Sequence, residues 1–337
     1  MKKKRILRVL VLLLIAAGAV AFYYYKLPVS ECPEYRFFIN PDDTQDSVIQ
    51  SIQKADPDAR TKALTILLDH YNYNSRIRTG CYTLKSGATP KEVCDMLLSG
   101  QQTPVKIIIN STRSVEQMAR SISGQIMADS AQIAQLLKNP AFLDSLGYST
   151  ANVYCMIIPN TYEVYWNISP KALINRLIKE RDRFWNEQRK AKAKELGLSE
   201  QDVITLASII EEETTKSDEL PMIAGVYMNR LKKRLPLQAC PTVIFAMGGE
   251  RPKRILKKHL EFDSPYNTYK HLGLPPGPIR FVSTRSIDAV LNHTKHNYLY
   301  FCAKEDFSGY HNFSTTLAQH NAYAARYQRA LDKAGIY

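Results

Sequence analysis

The chain has 337 residues, 45% of them apolar, and a formal charge of +13. That length allows one or two ordinary domains with substantial cores, and neither a fibrous bias, a disordered bias nor an internal repeat is present. The charge suggests nucleic acid at first, but Lys2, Lys3, Lys4, Arg5, Arg8 and Lys26 all flank one apolar stretch. Without those six, 39 basic residues face 32 acidic ones. The body is then only mildly basic at +7, and a nucleic-acid binder loses its main support.

Residues 1–8 read as a basic cytoplasmic tail and Val9 to Tyr25 as an apolar span, closed by Tyr23, Tyr24, Tyr25 and Lys26. A spanning helix needs about 20 apolar residues, with roughly 17 as the lower limit. Basic residues before the span hold that end in the cytoplasm, and tyrosines suit the far interface. A cleaved signal peptide is the competing reading, since Ala19-Val20-Ala21 offers a small-residue cleavage site. Both readings place everything after about residue 26 outside the cytoplasm. The six cysteines (Cys32, Cys81, Cys94, Cys155, Cys240, Cys302) form no CxxC pair. Their spacing argues against a metal knuckle and leaves disulfides and buried thiols both open.

Residues 26–44 are expected to be a linker. Residues 45–101 read as a small α/β unit, in which Asp46–Ala55 and Asp58–Tyr71 are amphipathic helices and Thr79–Leu84 is a strand. A further helix in that unit begins at Thr89-Pro90 and is stopped by Gly100. Residues 102–165 form a connecting β/α region: a strand over Val105–Asn110, a helix capped by Ser114, and the extended aromatic stretch Pro159–Tyr165. Residues 166–337 form the main domain. One long charged helix is expected from Pro170 to Glu195, with Leu173, Leu177 and Phe184 on its apolar stripe. Ser199–Asp202 caps a helix running to Glu213. Another restarts near Ser217–Pro221 and runs to Arg234, and a last one spans Thr316–Lys333. The fold class expected is α+β.

Glu211, Glu212 and Glu213 end the helix that Ser199 opens. Each helical residue turns about 100°, so the three cannot share a face. The positions three, four and seven before Glu213 hold Ile210, Ile209 and Leu206, which aims Glu213 along the apolar face. Burial of that kind raises a carboxyl pKa and suits a general acid. The alternative is that all three merely solvate a helix end, although the C-terminus is the unfavourable end for negative charge.

The surrounding residues carry a resemblance. Leu206 to Thr214 is followed by Ala224-Gly225-Val226-Tyr227-Met228-Asn229-Arg230-Leu231 and by Leu237-Gln238-Ala239-Cys240-Pro241-Thr242-Val243-Ile244. Ser264 to Tyr269, Gly273 to Ile279, His311-Asn312-Phe313 and His320-Asn321 complete the series. This order resembles the MltG (YceG-like) endolytic murein transglycosylases over nearly the whole chain. Upstream, Gly80-Cys81-Tyr82 and Pro159-Asn160-Thr161-Tyr162 resemble further family stretches. The resemblance implies a single-pass inner-membrane anchor with a cytoplasmic N-terminus. It also implies a LysM-like glycan-binding unit at 45–101 and an extracytoplasmic catalytic domain distantly related to lysozyme-like folds. The catalytic glutamate it implies is Glu213, the residue that helical geometry favours independently. Cys240 and Asn160 stand where the family commonly has aspartate, and Ile108-Ile109-Asn110-Ser111 where it has a proline-glutamate-glycine turn.

The activity implied is cleavage of the bond between N-acetylmuramic acid and N-acetylglucosamine within peptidoglycan strands, leaving 1,6-anhydro ends and so terminating or trimming nascent strands. A water-using muramidase and a non-catalytic glycan-binding scaffold are the rivals. Gln238, Asn267, Tyr269, Pro275, Gly277, Phe313 and Glu211 are the candidate substrate-binding residues, because amides, carboxylates, tyrosines and aromatic faces suit sugars. Turn chemistry and core packing are their alternative roles. No cofactor is implied and no metal is expected, since His293 and His296 lack a third ligand. Lys253, Arg254, Lys257 and Lys258 read as a solvated helix face. Expected partners are glycan strands and the membrane, with proximity to peptidoglycan synthases implied by the resemblance and no nucleic acid.

Overall fold

A computed structural model describes residues 2–249 and 255–335, and its strands and helices divide between two compact units. The first comprises Met1–Ile107, Gln125–Met127 and Glu163–Ile168, and the second comprises Ile108–Gly124, Ala128–Tyr162 and Ser169–Tyr337.

The first unit begins with helix α1 (Lys2–Tyr25). Its apolar part, Lys4–Tyr23, is 20 residues long and uncovered by the rest of the chain. At 1.5 Å per residue that is about 30 Å, enough to cross a bilayer's hydrocarbon and compatible with a single-pass anchor. Strand β1 (Tyr35–Ile39) follows, then α2 (Gln45–Ala55), α3 (Thr61–His70), β2 (Gly80–Leu84) and α4 (Pro90–Ser99). β1 and β2 are antiparallel, with Tyr35 opposite Leu84 and Ile39 opposite Gly80. The stretch expected as a linker therefore supplies an edge of this unit, and Val29, Phe37 and Ile39 lie in its core beside Tyr82 and Leu84. The large apolar residues Tyr35, Phe37 and Ile39 on alternate positions were the available signal. Reciprocal side-chain caps at Thr44–Ser47 and Thr89–Glu92 start α2 and α4, each worth about 1 kcal/mol. The Thr89–Glu92 cap is the start that the sequence indicates, and Gly100, at φ +70°, ends α4 as expected.

The chain passes between units along β3 (Val105–Ile108) and β4 (Thr161–Val164). The second unit holds α5 (Val115–Ser123), α6 (Ser130–Lys138), α7 (Pro140–Asp144), α8 (Pro170–Phe184), α9 (Glu187–Leu196) and α10 (Glu200–Glu213). It continues with α11 (Leu220–Lys232), α12 (Cys240–Ala246), α13 (Lys257–Leu260), α14 (Thr284–Leu291), the hairpin β5 (Tyr300–Ala303) and β6 (His311–Ser314), and α15 (Leu317–Lys333). The long helix expected over 170–195 is in fact two. Trp185, only 1% exposed, leaves the helical conformation to enter the core, and Asn186 caps α9 by accepting from Arg189 N. The tertiary demand of one large aromatic outweighs the continuous charged pattern.

α10 is the axis of this unit. Every residue from Val203 to Ile210 is buried, so no face of its middle turns meets solvent. A helix that is apolar all round belongs inside a core. α11 and α14 pack on it through Ile223, Ala224, Tyr227, Ile287 and Val290. Gly225 permits close approach on α11: a Cβ there would lie 2.4 Å from Thr294 O and 2.5 Å from His296 Nε2. The six cysteines are free thiols, with Cys81, Cys94 and Cys155 buried as small apolar residues. Lys257 and Lys258 are exposed, while Lys253 and Arg254 lie outside the described residues.

Candidate active site

The three glutamates at the end of α10 leave the helix at about 100° intervals and meet three different environments. Glu211 turns toward Ser111 and Ser283. Its Oε2 accepts from Ser283 N at 2.9 Å and from Ser283 Oγ at 2.8 Å, and the Ser111 hydroxyl is 2.5 Å from its Oε1. Arg280 stands 3.5 Å from the same carboxylate. Glu212 is gripped by two guanidinium groups. Arg113 donates to both of its oxygens at 2.7 Å, and Arg280 Nη1 donates at 2.5 Å. A carboxylate receiving three guanidinium hydrogen bonds is bound as an anion and is ill suited to give up a proton. These pairs also offset the repulsion of three acids at the negative end of a helix.

Glu213 faces elsewhere. It is half-buried and lines a groove of about 320 Å³. Its Oε1 accepts a 2.7 Å hydrogen bond from the phenol of Tyr227 on α11. Tyr227 is 2% exposed, and its ring meets Phe301 edge to face at a centroid separation of 5.8 Å. Burial, followed by the charge of Glu213, pushes ionisation of this phenol well above its ordinary 10, so it remains a donor. The remainder of the groove comes from Arg230 on α11, the Leu237–Cys240 segment, Tyr269, Tyr300 and Phe301 on β5, and His320 on α15. Among the described residues that line it, Glu213 is the only carboxylate.

The walls are polar groups on aromatic surfaces. Tyr269 OH lies 3.1 Å from Cys240 Sγ. Burial raises its ionisation above 10, and the neighbouring Cys240 and Glu213 add to that shift. His320 stacks on Tyr300 at 5.4 Å, and burial together with Arg230 lowers its pKa below the usual 6.5. It is accordingly neutral near pH 7. Behind Glu213 the chain is tied down. Thr214 accepts from Lys216 N at 3.0 Å, and Glu219, 6% exposed, accepts from His311 N at 2.8 Å and from His311 Nδ1 at 2.9 Å. The turn after α10 is thus fastened to β6, which fixes where α10 ends.

Three of the expected residues, Glu213, Gln238 and Tyr269, meet in this groove. The others do not line it. Glu211 is committed to Ser111, Ser283 and Arg280. Asn267 is fully buried, donating to Leu260 O and Phe262 O and accepting from Tyr269 N, so it shapes the loop that presents Tyr269. Pro275 and Gly277 are buried, and a Cβ on Gly277 would sit 2.1 Å from Ala151 O, which explains the glycine as a packing requirement. Phe313, paired with Phe301 across the hairpin, packs against Phe301 and Tyr298 and backs the wall of the groove. Of the two histidines weighed for metal, His296 is held by Met222 O at 2.9 Å and His293 by Val290 O at 3.2 Å.

Tyr227, Arg230, Tyr300, Phe301 and His320 are groove residues that sequence reasoning did not single out. For Tyr227 and Arg230 a signal existed: both fall within the Ala224–Leu231 motif. His320 likewise falls within the His320-Asn321 motif, whereas for Tyr300 no signal existed, because only the hairpin brings it in.

A family model described as the YceG-like family matches residues 37–326 of this chain. The chain is 32% identical over 327 residues to an endolytic murein transglycosylase of Bacillus subtilis, which covers 91% of this chain and 90% of that protein. An endolytic murein transglycosylase of Streptococcus pneumoniae is 27% identical over 265 residues, covering 69% of this chain and 48% of that longer protein. The crystal structure of a YceG-like protein from Listeria monocytogenes is similar with a TM-score of 0.57 at 27% identity, covering 86% of this chain and 98% of that one.

Proposed function

Because the chain belongs to the YceG-like family, we propose that it is an endolytic lytic transglycosylase that cuts peptidoglycan glycan strands, with Glu213 as its single acid. One observation carries this reading: among its described lining residues the groove offers one carboxylate, oriented by a buried phenol, where most glycosidases need two. A reaction that returns its proton to the same group requires only one.

In this mechanism protonated Glu213 gives its proton to the oxygen linking muramic acid C1 to the next N-acetylglucosamine. The C1–O bond breaks and the glucosamine leaves as an alcohol. The muramic 6-hydroxyl then attacks C1, and the Glu213 carboxylate takes the hydroxyl proton. Atoms balance without water: one C–O bond is lost, one is formed, and the acid is restored. Tyr227 holds Oε1 and so orients the carboxyl group within the groove. Strands would thus end in 1,6-anhydromuramoyl units, which suits termination or trimming of nascent glycan.

The same reading makes α1 an inner-membrane anchor with a cytoplasmic N-terminus, the rest of the chain lying outside the cytoplasm near peptidoglycan synthases. The basic residues before the apolar span support that orientation. It also gives the first unit a LysM-like, glycan-holding role. A second cavity there, about 400 Å³ and lined by Thr83–Ala88, Glu92, Met96 and Gln101, is of a size to take sugar. The deciding experiment is mass analysis of products from purified glycan strands. Wild type should release anhydro ends and Glu213→Gln none. Reducing ends from the wild type would show a hydrolytic muramidase instead, and no cleavage at all a binding scaffold.

A further inference from the structure

Gln238 differs from the rest of the groove wall. It is exposed and lines the groove, yet its backbone sits at φ +54°, a left-handed conformation costly for a residue with a Cβ. Its amide N–H is tied to Thr268 O at 3.1 Å, so the conformation is locked from behind. Its side-chain oxygen accepts from Arg230 Nη2. Arg230 is itself fixed: 7% exposed, it donates Nε to Pro236 O at 2.9 Å and Nη1 to Leu299 O at 2.8 Å, with its guanidinium 5.4 Å from the Tyr300 ring centre.

That clamp removes an ambiguity. A free glutamine can turn either end of its amide toward a ligand, but a guanidinium has donors only. The oxygen of Gln238 must therefore face Arg230, which leaves the NH2 end for the groove. Gln238 becomes a fixed hydrogen-bond donor. Such a group discriminates poorly between sugar hydroxyls, which both donate and accept, and well for a carbonyl oxygen, which only accepts.

We infer that Gln238, positioned by Arg230, reads the carbonyl oxygen of a sugar 2-acetamido group, making the groove selective for N-acetylated over de-N-acetylated glycan. The inference rests on the groove being the glycan site. Tyr300 and Phe301 beside it supply apolar surface for the acetyl methyl. A de-N-acetylated sugar presents an ammonium instead, which has donors alone and would meet both the glutamine NH2 and the Arg230 charge. Losing one hydrogen bond and gaining a donor–donor clash should cost at least about tenfold.

The test uses the full-length protein and three glycan preparations: fully N-acetylated, free amine on glucosamine only, and free amine on muramic acid only. Affinity and the rate of anhydro-end formation are both measured. Wild type should favour the fully acetylated strand by at least about tenfold over one of the amine forms, which also identifies the sugar read. Gln238→Ala should abolish the preference. Gln238→Glu, which keeps the pairing with Arg230 but offers only acceptors, should reverse it toward the amine. Arg230→Lys should weaken the preference, since a point charge no longer fixes the amide plane. Equal treatment of all three strands by the wild type, or an equal loss on all three in Gln238→Ala, overturns the inference. Acetyl-selective binding without any anhydro ends would uphold it while overturning the transglycosylase reading.

Discussion

Glu212 and Glu213 are adjacent in sequence, share a helix end, and have side chains of one chemistry, yet the structure gives them opposite surroundings. Glu212 lies between Arg113 and Arg280, with full guanidinium charges against both oxygens. Glu213 meets a neutral phenol and an open groove lined by aromatic side chains. A single-residue rotation of about 100° separates a carboxylate that fastens the fold from one that lines the groove. What differs is the electrostatic partner: cations favour the ionised form, whereas a phenol can hydrogen-bond either form of a carboxyl group. The arginines on one side also make it tolerable for a third acid to occupy the same helix terminus.

That contrast can be broken most severely at Glu213. Glu213→Gln should reduce cleavage by at least about 10²–10⁴-fold, the range for loss of a general acid, with an unchanged urea midpoint. Glu212→Gln should do the reverse. Arg280, 14% exposed, keeps the Glu211 carboxylate at 3.5 Å, so the loss is that of charge-assisted hydrogen bonds, about 2 kcal/mol in urea unfolding, while the folded fraction keeps its cleavage rate within a few-fold. If Glu212→Gln abolished cleavage without loss of stability, the two roles would have to be exchanged. A smaller effect is expected from Tyr227→Phe, which removes a single hydrogen bond. It should lower kcat by about tenfold with little change in KM, since the bond orients the acid rather than the sugar.

The smallest expected effect concerns His320, on the far wall. Burial lowers its pKa below 6.5, so the folded protein keeps it neutral while the unfolded chain takes up a proton. Its contribution to stability is therefore full above about pH 6.5 and is lost as the pH falls toward the folded pKa. Replacing it with glutamine should flatten the decline in urea midpoint between about pH 7 and pH 5.5. An unaltered slope would mean that the imidazole is not shielded from water.

Much of the helical skeleton was legible. Ser199 with Asp202, Thr89 with Glu92, and Gly100 mark boundaries within a residue or two of those observed, because caps are local chemistry. Errors arose where distant residues set the conformation. Trp185 breaks one expected helix into two, and β1 takes its place in the first unit only by pairing with β2. The candidate site divides the same way. Helical phase separated Glu213 from Glu211 and Glu212, but loop motifs suggested Asn267, Pro275 and Gly277 as sugar contacts, and these turned out to be buried parts of the fold.

The sequence by itself determined which carboxylate lies along the apolar face, since that follows from the period of a helix and the isoleucines preceding it. It also specified the family order of motifs and the apolar span at the N-terminus. Only the tertiary structure decided who the neighbours are: the arginines that claim Glu212, the phenol that reaches Glu213 from α11, and the clamp that turns Gln238 into a donor. Those depend on side chains approaching across long sequence separations, and distance in space is not encoded by any local pattern.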